Sequence, residues 1–240
     1  IACWEKWYGM THACPDLVAE AVYGLPEVNR AQIRNARLVA NPGCHPTATL
    51  PALAPSARNR LLVPGGVIVD AKSGVTGAGR ALKETSLYAE VAEGIGAYGV
   101  ANHRHAPEIE QGLSLAAGRP VIVNFTPHLM PMNRGILSSI YVKLKNGADA
   151  GALRATLGKR YANEPFVRVV PEGVAPATRH VRGSNLCLIG VFADRVKGRA
   201  IVLSAIDNMV KGASGQAVQN MNVVCGFEET TALDQAPMFP

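Results

Sequence analysis

The sequence is short of aromatic residues, of long apolar runs and of paired cysteines, and each shortage removes a class of protein. Aromatics make up 5% of the 240 residues, and no basic run is interleaved with them, so a nucleic-acid partner is not expected. No apolar stretch approaches the roughly 18 residues that span a bilayer. No secretory signal is legible at Ile1, so neither membrane insertion nor secretion is expected. The 5 cysteines (Cys3, Cys14, Cys44, Cys187 and Cys225) are odd in number and form no CxxC pair. That pattern argues against a disulfide scaffold or a zinc module and for a reduced, cytoplasmic protein. The chain also lacks a strand–GxGxxG–helix unit, a Walker loop, internal repeats and low-complexity tracts.

What is present suffices for one substantial core or two modest domains, at 48% hydrophobic residues. A net charge of +6 suits an anionic ligand. However, Arg30, Arg34, Arg37, Arg58, Arg60, Arg154, Lys159 and Arg160 are dispersed and also read as solvated surface. Residues 1–40 read as loop and short helix, with an amphipathic turn opening at Pro15 and ending at Gly24-Leu25-Pro26. Residues 44–61 read as a helix interrupted by Pro51 and Pro55. Val67-Ile68-Val69 reads as a short buried strand, followed by a loop over 71–80. Residues 107–117 form a helix with Pro107 in its first turn and Gly118 at its stop. Residues 121–127 and 135–144 are expected to pair directly as antiparallel strands. A helix over 149–161, a strand over 166–170, a hairpin of 186–193 with 199–205, and a helix over 209–224 complete the chain. The pattern predicts an α+β domain with one mixed, largely antiparallel sheet.

Three segments carry chemistry. In Asn41-Pro42-Gly43-Cys44-His45-Pro46, Cys44 falls at a strand-to-helix junction. Free N–H groups and the helix dipole favour a thiolate there, although many free cysteines are only small buried hydrophobes. His103-Arg104-His105-Ala106-Pro107-Glu108 feeds the next helix. His105 could serve Cys44 as base and acid, with Glu108 orienting the imidazole, or both could be structural. A metal set of His103, His105 and Cys44 matches no standard spacing, and none is expected. Arg80 and Arg104 are candidate anion clamps or ordinary surface charge. The small-residue run at 212–217, after Asp207-Asn208, predicts close approach of some other group, since two helical glycines each cost about 1 kcal/mol.

Together with Val22-Tyr23-Gly24-Leu25-Pro26-Glu27, Ser73-Gly74-Val75-Thr76-Gly77-Ala78-Gly79-Arg80 and the 128–137 and 207–222 segments, these motifs resemble the N-acetyl-γ-glutamyl-phosphate reductase family along essentially the whole chain. The resemblance implies a glyceraldehyde-3-phosphate-dehydrogenase-like catalytic domain over 44–205. Remnants of a Rossmann domain would occupy 1–43, and a returning helix and tail 206–240. It implies NADP(H)-dependent reduction of a small acyl phosphate to a semialdehyde by a dimer or tetramer. Cys44 would form a thioester and His105 would be the acid/base. Substrate would meet Arg80, Arg104, His103 and Glu108, and cofactor would meet Ser73, Gly74, Asn208 and Lys211. The sequence departs from the family at position 45, where His45 replaces the usual tyrosine, and in lacking the glycine-rich fingerprint. The chain is therefore expected to be an incomplete enzyme that holds NADPH weakly or not at all. The aminoadipyl and aspartyl semialdehyde dehydrogenases, a Cys–His hydrolase and an inactive interaction domain remain alternatives.

Overall fold

The computed structural model describes residues 1–239. Its N-terminal part holds α1 (Ala2–Tyr8), β1 (Val22–Tyr23), α2 (Pro26–Ile33) and β2 (Val39–Ala40), with β1 and β2 paired in parallel. Pro26 opens α2 rather than closing a turn, as suits a residue with fixed φ and no N–H at the first helical position. The chain then enters α3 (Cys44–Arg58), β3 (Leu62–Gly74), the short α4 (Tyr88–Val91), β4 (Gly96–Ala97), α5 (His105–Ala117), β5 (Val123–Met130) and β6 (Ile136–Leu144). It continues through α6 (Ala150–Tyr161), β7 (Val167–Val169), β8 (Cys187–Ala193), β9 (Arg199–Ile206), a π-type turn over Val210–Ser214 and α7 (Gly215–Cys225).

Seven strands form one sheet in the order β4-β5-β3-β6-β9-β8-β7. Only β5 on β3 and β7 on β8 run parallel, so the expected mixed, largely antiparallel sheet is present. One expected pairing is corrected. β5 and β6 do not pair with each other, because β3 lies between them. α5 is the crossover that makes β3 and β5 parallel, and the return through 131–135 passes over the end of β3. There Gly74 N–H donates to Gly135 O at 2.9 Å and Val75 N–H to Met132 O at 2.9 Å. A Cβ on Gly74 would lie 2.7 Å from Asn133 O, so this crossing fixes the glycine. β3 is also longer than the three residues expected, and it alternates: Val67, Val69 and Ala71 are buried while Ile68 is 48% exposed.

α3 is the central helix of the covered face, buried nearly all round from His45 to Ala57. Its two prolines do not break it. Pro55 has no N–H for the carbonyl of Pro51, and the Tyr161 hydroxyl donates to that oxygen at 2.7 Å instead. α3 packs against α5, α6 and the inward residues Val69, Ile140 and Val202. The other face of the sheet is more open: Ile68, Tyr141 and Lys143 are exposed, and Asp70, Lys72, Leu137 and Ile201 are part-buried. The expected single helix over 209–224 is likewise two pieces, because Asp207 Oδ1 accepts from the N–H groups of Met209 and Val210 at 2.8 and 3.0 Å and caps the turn that precedes α7.

Candidate active site

Cys44 is the first residue of α3, and Gly43 is its cap in extended conformation. The backbone N–H groups of Cys44 and His45 face the sulfur and favour the thiolate, but burial outweighs them and pushes the thiol up to about 11. Cys44 in the free fold is therefore a neutral thiol awaiting a proton acceptor.

His105 is the first residue of α5, and α5 packs on α3, which brings the two helix N-termini together. Cys44 Sγ and one ring nitrogen each of His45 and His105 lie within 4.8 Å of one another. The His105 ring presses on the turn before the cysteine: a Cβ on Gly43 would sit 2.5 Å from His105 Nε2. Burial, then His103 and Arg104, pull His105 down to about 3. Burial and Arg104 pull His103 down to about 4. His45 is held well below the usual histidine range by burial and by the other two imidazoles. His105 is thus neutral in the free fold and a weaker base than an ordinary imidazole, and His103 Nδ1 accepts its backbone N–H at 3.1 Å.

Around this centre, Phe125 lies 5.1 Å from the His45 ring and 5.3 Å from that of His103. Tyr98 OH pairs with His45 Nε2 at 3.1 Å. Burial, with Cys44 nearby, raises the Tyr98 phenol. Neither Tyr98 nor Phe125 was marked by a motif. Phe125 reaches the site from within β5 and Tyr98 from just after β4, and only the assembled sheet brings them there.

Several expected residues stand elsewhere than their motifs suggested. Glu108 does not orient an imidazole. Its Oε1 accepts from Gly43 N–H at 2.9 Å and from Tyr23 OH at 2.8 Å, so it clamps the turn ahead of Cys44. Arg104 is exposed at the start of α5, its guanidinium 5.3 Å over the Tyr8 ring, and its charge lowers the thiol slightly. Arg80 is exposed beyond the 3₁₀ turn Val75–Ala78, and among the described residues it makes no hydrogen bond or ion pair. Ser73 is 1% exposed and adjoins Tyr98. Asn208 is buried, with Oδ1 accepting from Gly135 N–H at 2.7 Å and Nδ2 donating to Thr76 Oγ1 at 2.9 Å. Lys211 is fully buried, with Nζ 2.6 Å from Glu27 Oε1 and 2.7 Å from Gln219 Oε1. Its ammonium is therefore not displayed to a ligand. The close approach that the glycines of 212–217 implied is made by the site itself: a Cβ on Gly212 would lie 2.8 Å from Cys44 Cβ.

The chain matches the family described as semialdehyde dehydrogenase, dimerisation domain, over residues 44–208. It is 64% identical over 237 residues to the N-acetyl-gamma-glutamyl-phosphate reductase of Rhodospirillum rubrum, covering 99% of this chain and 67% of that one. A reductase of the same name from Geobacter sp. is 57% identical, covering 98% and 68%. An Arabidopsis thaliana relative named as chloroplastic is 55% identical, covering 100% and 60%. The chain thus spans about two thirds of the length of these relatives. The fold matches that of aspartate semialdehyde dehydrogenase II from Vibrio cholerae at a TM-score of 0.69 and 19% identity, covering 87% of this chain and 69% of that one. Among the described residues no helix is long and apolar enough to cross a membrane. With this sequence identity, family match and fold, the chain belongs to the N-acetyl-gamma-glutamyl-phosphate reductases, nicotinamide-dependent oxidoreductases of the semialdehyde dehydrogenase type.

Proposed function

We propose that this chain carries the thiol chemistry of that reaction, with Cys44 as nucleophile and His105 as acid/base. The observation that carries the reading is a thiol at a helix N-terminus with a neutral imidazole of a second helix beside it. His105 takes the thiol proton as Sγ attacks the carbonyl of the γ-glutamyl phosphate. The C–O bond to phosphate breaks, phosphate leaves, and a thioester remains on Cys44. The N–H groups at the start of α3 point at this locus and can stabilise negative charge on the carbonyl oxygen. NADPH supplies a hydride when bound. His105 then returns its proton as the Cys44 thiohemiacetal collapses to the semialdehyde and free thiol.

Arg80, Arg104 and His103 are the residues we assign to the phosphate and carboxylate of the substrate. Arg104 is the favoured clamp, since its charge already reaches the thiol. Glu108 is assigned to positioning through Gly43. Ser73 and Gly74, at the end of β3, are assigned to the cofactor's border of the cleft. Asn208 and Lys211 fit that group only as supports, because their polar atoms are engaged within the protein. We assign 44–205 to the catalytic and dimerisation domain, and 1–43 with 206–240 to the dinucleotide-binding side. The parallel β1–β2 pair supports that division. We place the enzyme in the cytoplasm, on its unpaired cysteines, as a homodimer or tetramer joined through the open sheet face that carries Ile68 and Tyr141.

The test needs no cofactor. Mixed with N-acetyl-γ-glutamyl phosphate, the chain should release a burst of about one phosphate per Cys44 and gain the acyl mass on the peptide holding Cys44. Cys44→Ser should release none. Steady multiple turnover without a nicotinamide would instead indicate a hydrolase, and a larger burst with the aminoadipyl phosphate would reassign the substrate.

A further inference from the structure

The cluster at Cys44 has a property that the reaction does not require. His45 is 1% exposed, and its Nδ1 is buried without a hydrogen-bond partner. His105 Nδ1 is buried and unpartnered too. Two orphaned imidazole nitrogens beside a thiol are an expensive arrangement for an apolar pocket. A thiol with two neutral imidazoles is also a donor set for a soft divalent cation. Tetrahedral bonds of about 2.0–2.3 Å to nitrogen and sulfur put donor atoms roughly 3.3–3.8 Å apart. Cys44 Sγ and one ring nitrogen of each of His45 and His105 already lie within 4.8 Å of one another, so small side-chain rotations close the set. The set differs from the one that the sequence spacing brings to mind. His103 is not in it, since its Nδ1 is turned to the His105 backbone, and His45 takes its place.

We propose that Cys44, His45 and His105 bind one Zn²⁺ or a similar soft cation, leaving a fourth position open, and that the loaded site is closed to substrate. Sγ forms the metal–sulfur bond and its proton leaves to solvent, while both imidazoles bind as neutral donors. His45 Nε2 lies 3.1 Å from Tyr98 OH; with Nε2–H donating to that oxygen, the Nδ1 lone pair is left to the cation, as in other metal-bound histidines. Glu108 behind Gly43 and exposed Arg104 bring opposite charges to the rim. Cation binding is independent of the reaction assigned above. Only its consequence, loss of the thiol to substrate, rests on that reading.

Co²⁺ is the probe, because it reports the donor set in its absorption without any enzyme assay. Titrated into the 240-residue chain, it should produce a thiolate-to-cobalt charge-transfer band that saturates at one Co²⁺ per chain and is displaced by Zn²⁺. The band should vanish in Cys44→Ser. Affinity should fall at least tenfold in His45→Phe, with circular dichroism confirming the fold. In the unaltered chain, Zn²⁺ should slow iodoacetamide labelling of Cys44 at least tenfold, while exposed Cys3, Cys14 and Cys225 label as before. No band, a band that survives Cys44→Ser, equal affinity in a folded His45→Phe, or unprotected Cys44 would each overturn the proposal. A phosphate burst from Cys44 in metal-free protein, seen alongside any of these, leaves the reaction assignment standing.

Discussion

Two buried polar regions of this chain solve the same problem in opposite ways. Around Cys44, ionisable groups are kept neutral: burial lifts the thiol to about 11 and drops His103 and His105 to about 4 and 3. Around Lys211, they are kept charged and paired. Burial alone would raise the Glu27 carboxyl, but Lys211, its hydrogen bonds and Gln219 hold it below its usual value. Gln219 also donates to Glu229 at 2.7 Å, which ties α2, the 210–225 segment and the tail together. The neutral region keeps donors and acceptors free for a reaction. The paired region has almost nothing left to offer a ligand and holds helices in place instead.

The contrast predicts different failures on substitution. His105→Asn should slow the burst of phosphate by about 10²–10⁴ and leave the urea midpoint nearly unchanged. An effect only on substrate affinity would make His105 a binding group. Lys211→Met should do the reverse. It strands the Glu27 carboxylate and should cost about 3–5 kcal/mol of stability, read from urea unfolding, while any protein still folded keeps its burst. Adding Glu27→Leu should recover part of that loss. A Lys211→Met protein of full stability with weakened nicotinamide binding would return Lys211 to the cofactor.

These two regions also mark what could be read from sequence. The strand-to-helix junction at Cys44 and the helix start at His105 are local, and their residue patterns announce them. The sheet class was legible for the same reason: alternation and turns at 121–144 and 186–206 are short-range signals. The insertion of β3 between β5 and β6 is set by a crossover, which no window of residues contains. Lys211 shows the limit most sharply. A lysine beside Gly212, Ala213 and Ser214 is given to the cofactor by the family resemblance, whereas Glu27, its ion-pair partner in the fold, lies 184 positions away. The motif places Glu108 near the site but does not give its partners, since Gly43 and Tyr23 meet it only after α3 and α5 pack.

The glycines give a smaller and more local test. Gly43→Ala would press a methyl group to 2.5 Å from His105 Nε2, and Gly212→Ala would press one to 2.8 Å from Cys44 Cβ. Overpacking of this kind costs about 1–3 kcal/mol. His105 is a side chain that can rotate, whereas Cys44 is fixed at the start of α3. Gly43→Ala should therefore lose activity more than stability, by displacing the acid/base. Gly212→Ala should lose stability in proportion to activity. Equal profiles for the two variants would mean that the imidazole is not held where the Gly43 contact puts it.

The finest test of the contrast is pH. His45, His103 and His105 are depressed below the ordinary value of 6.5 in the fold, so the unfolded chain binds protons that the folded chain does not. Stability from this source is complete above about pH 6.5 and is lost as pH falls through 4 towards 3. The thiols act at the other end. Cys44 and Cys187 are both raised from 9.0 to about 11, chiefly by burial, so the unfolded chain ionises first and stability falls between pH 9 and 11. The Glu27–Lys211 pair adds its own loss in acid, once the carboxylate must protonate. Its share is separable, because His45→Phe removes one imidazole and leaves that pair intact. Below pH 6 the slope of unfolding free energy against pH should drop by about 1.4 kcal/mol per pH unit in His45→Phe, the equivalent of one proton. An unchanged slope would mean that His45 is protonated in the fold, and the Cys44 region would then be charged rather than neutral.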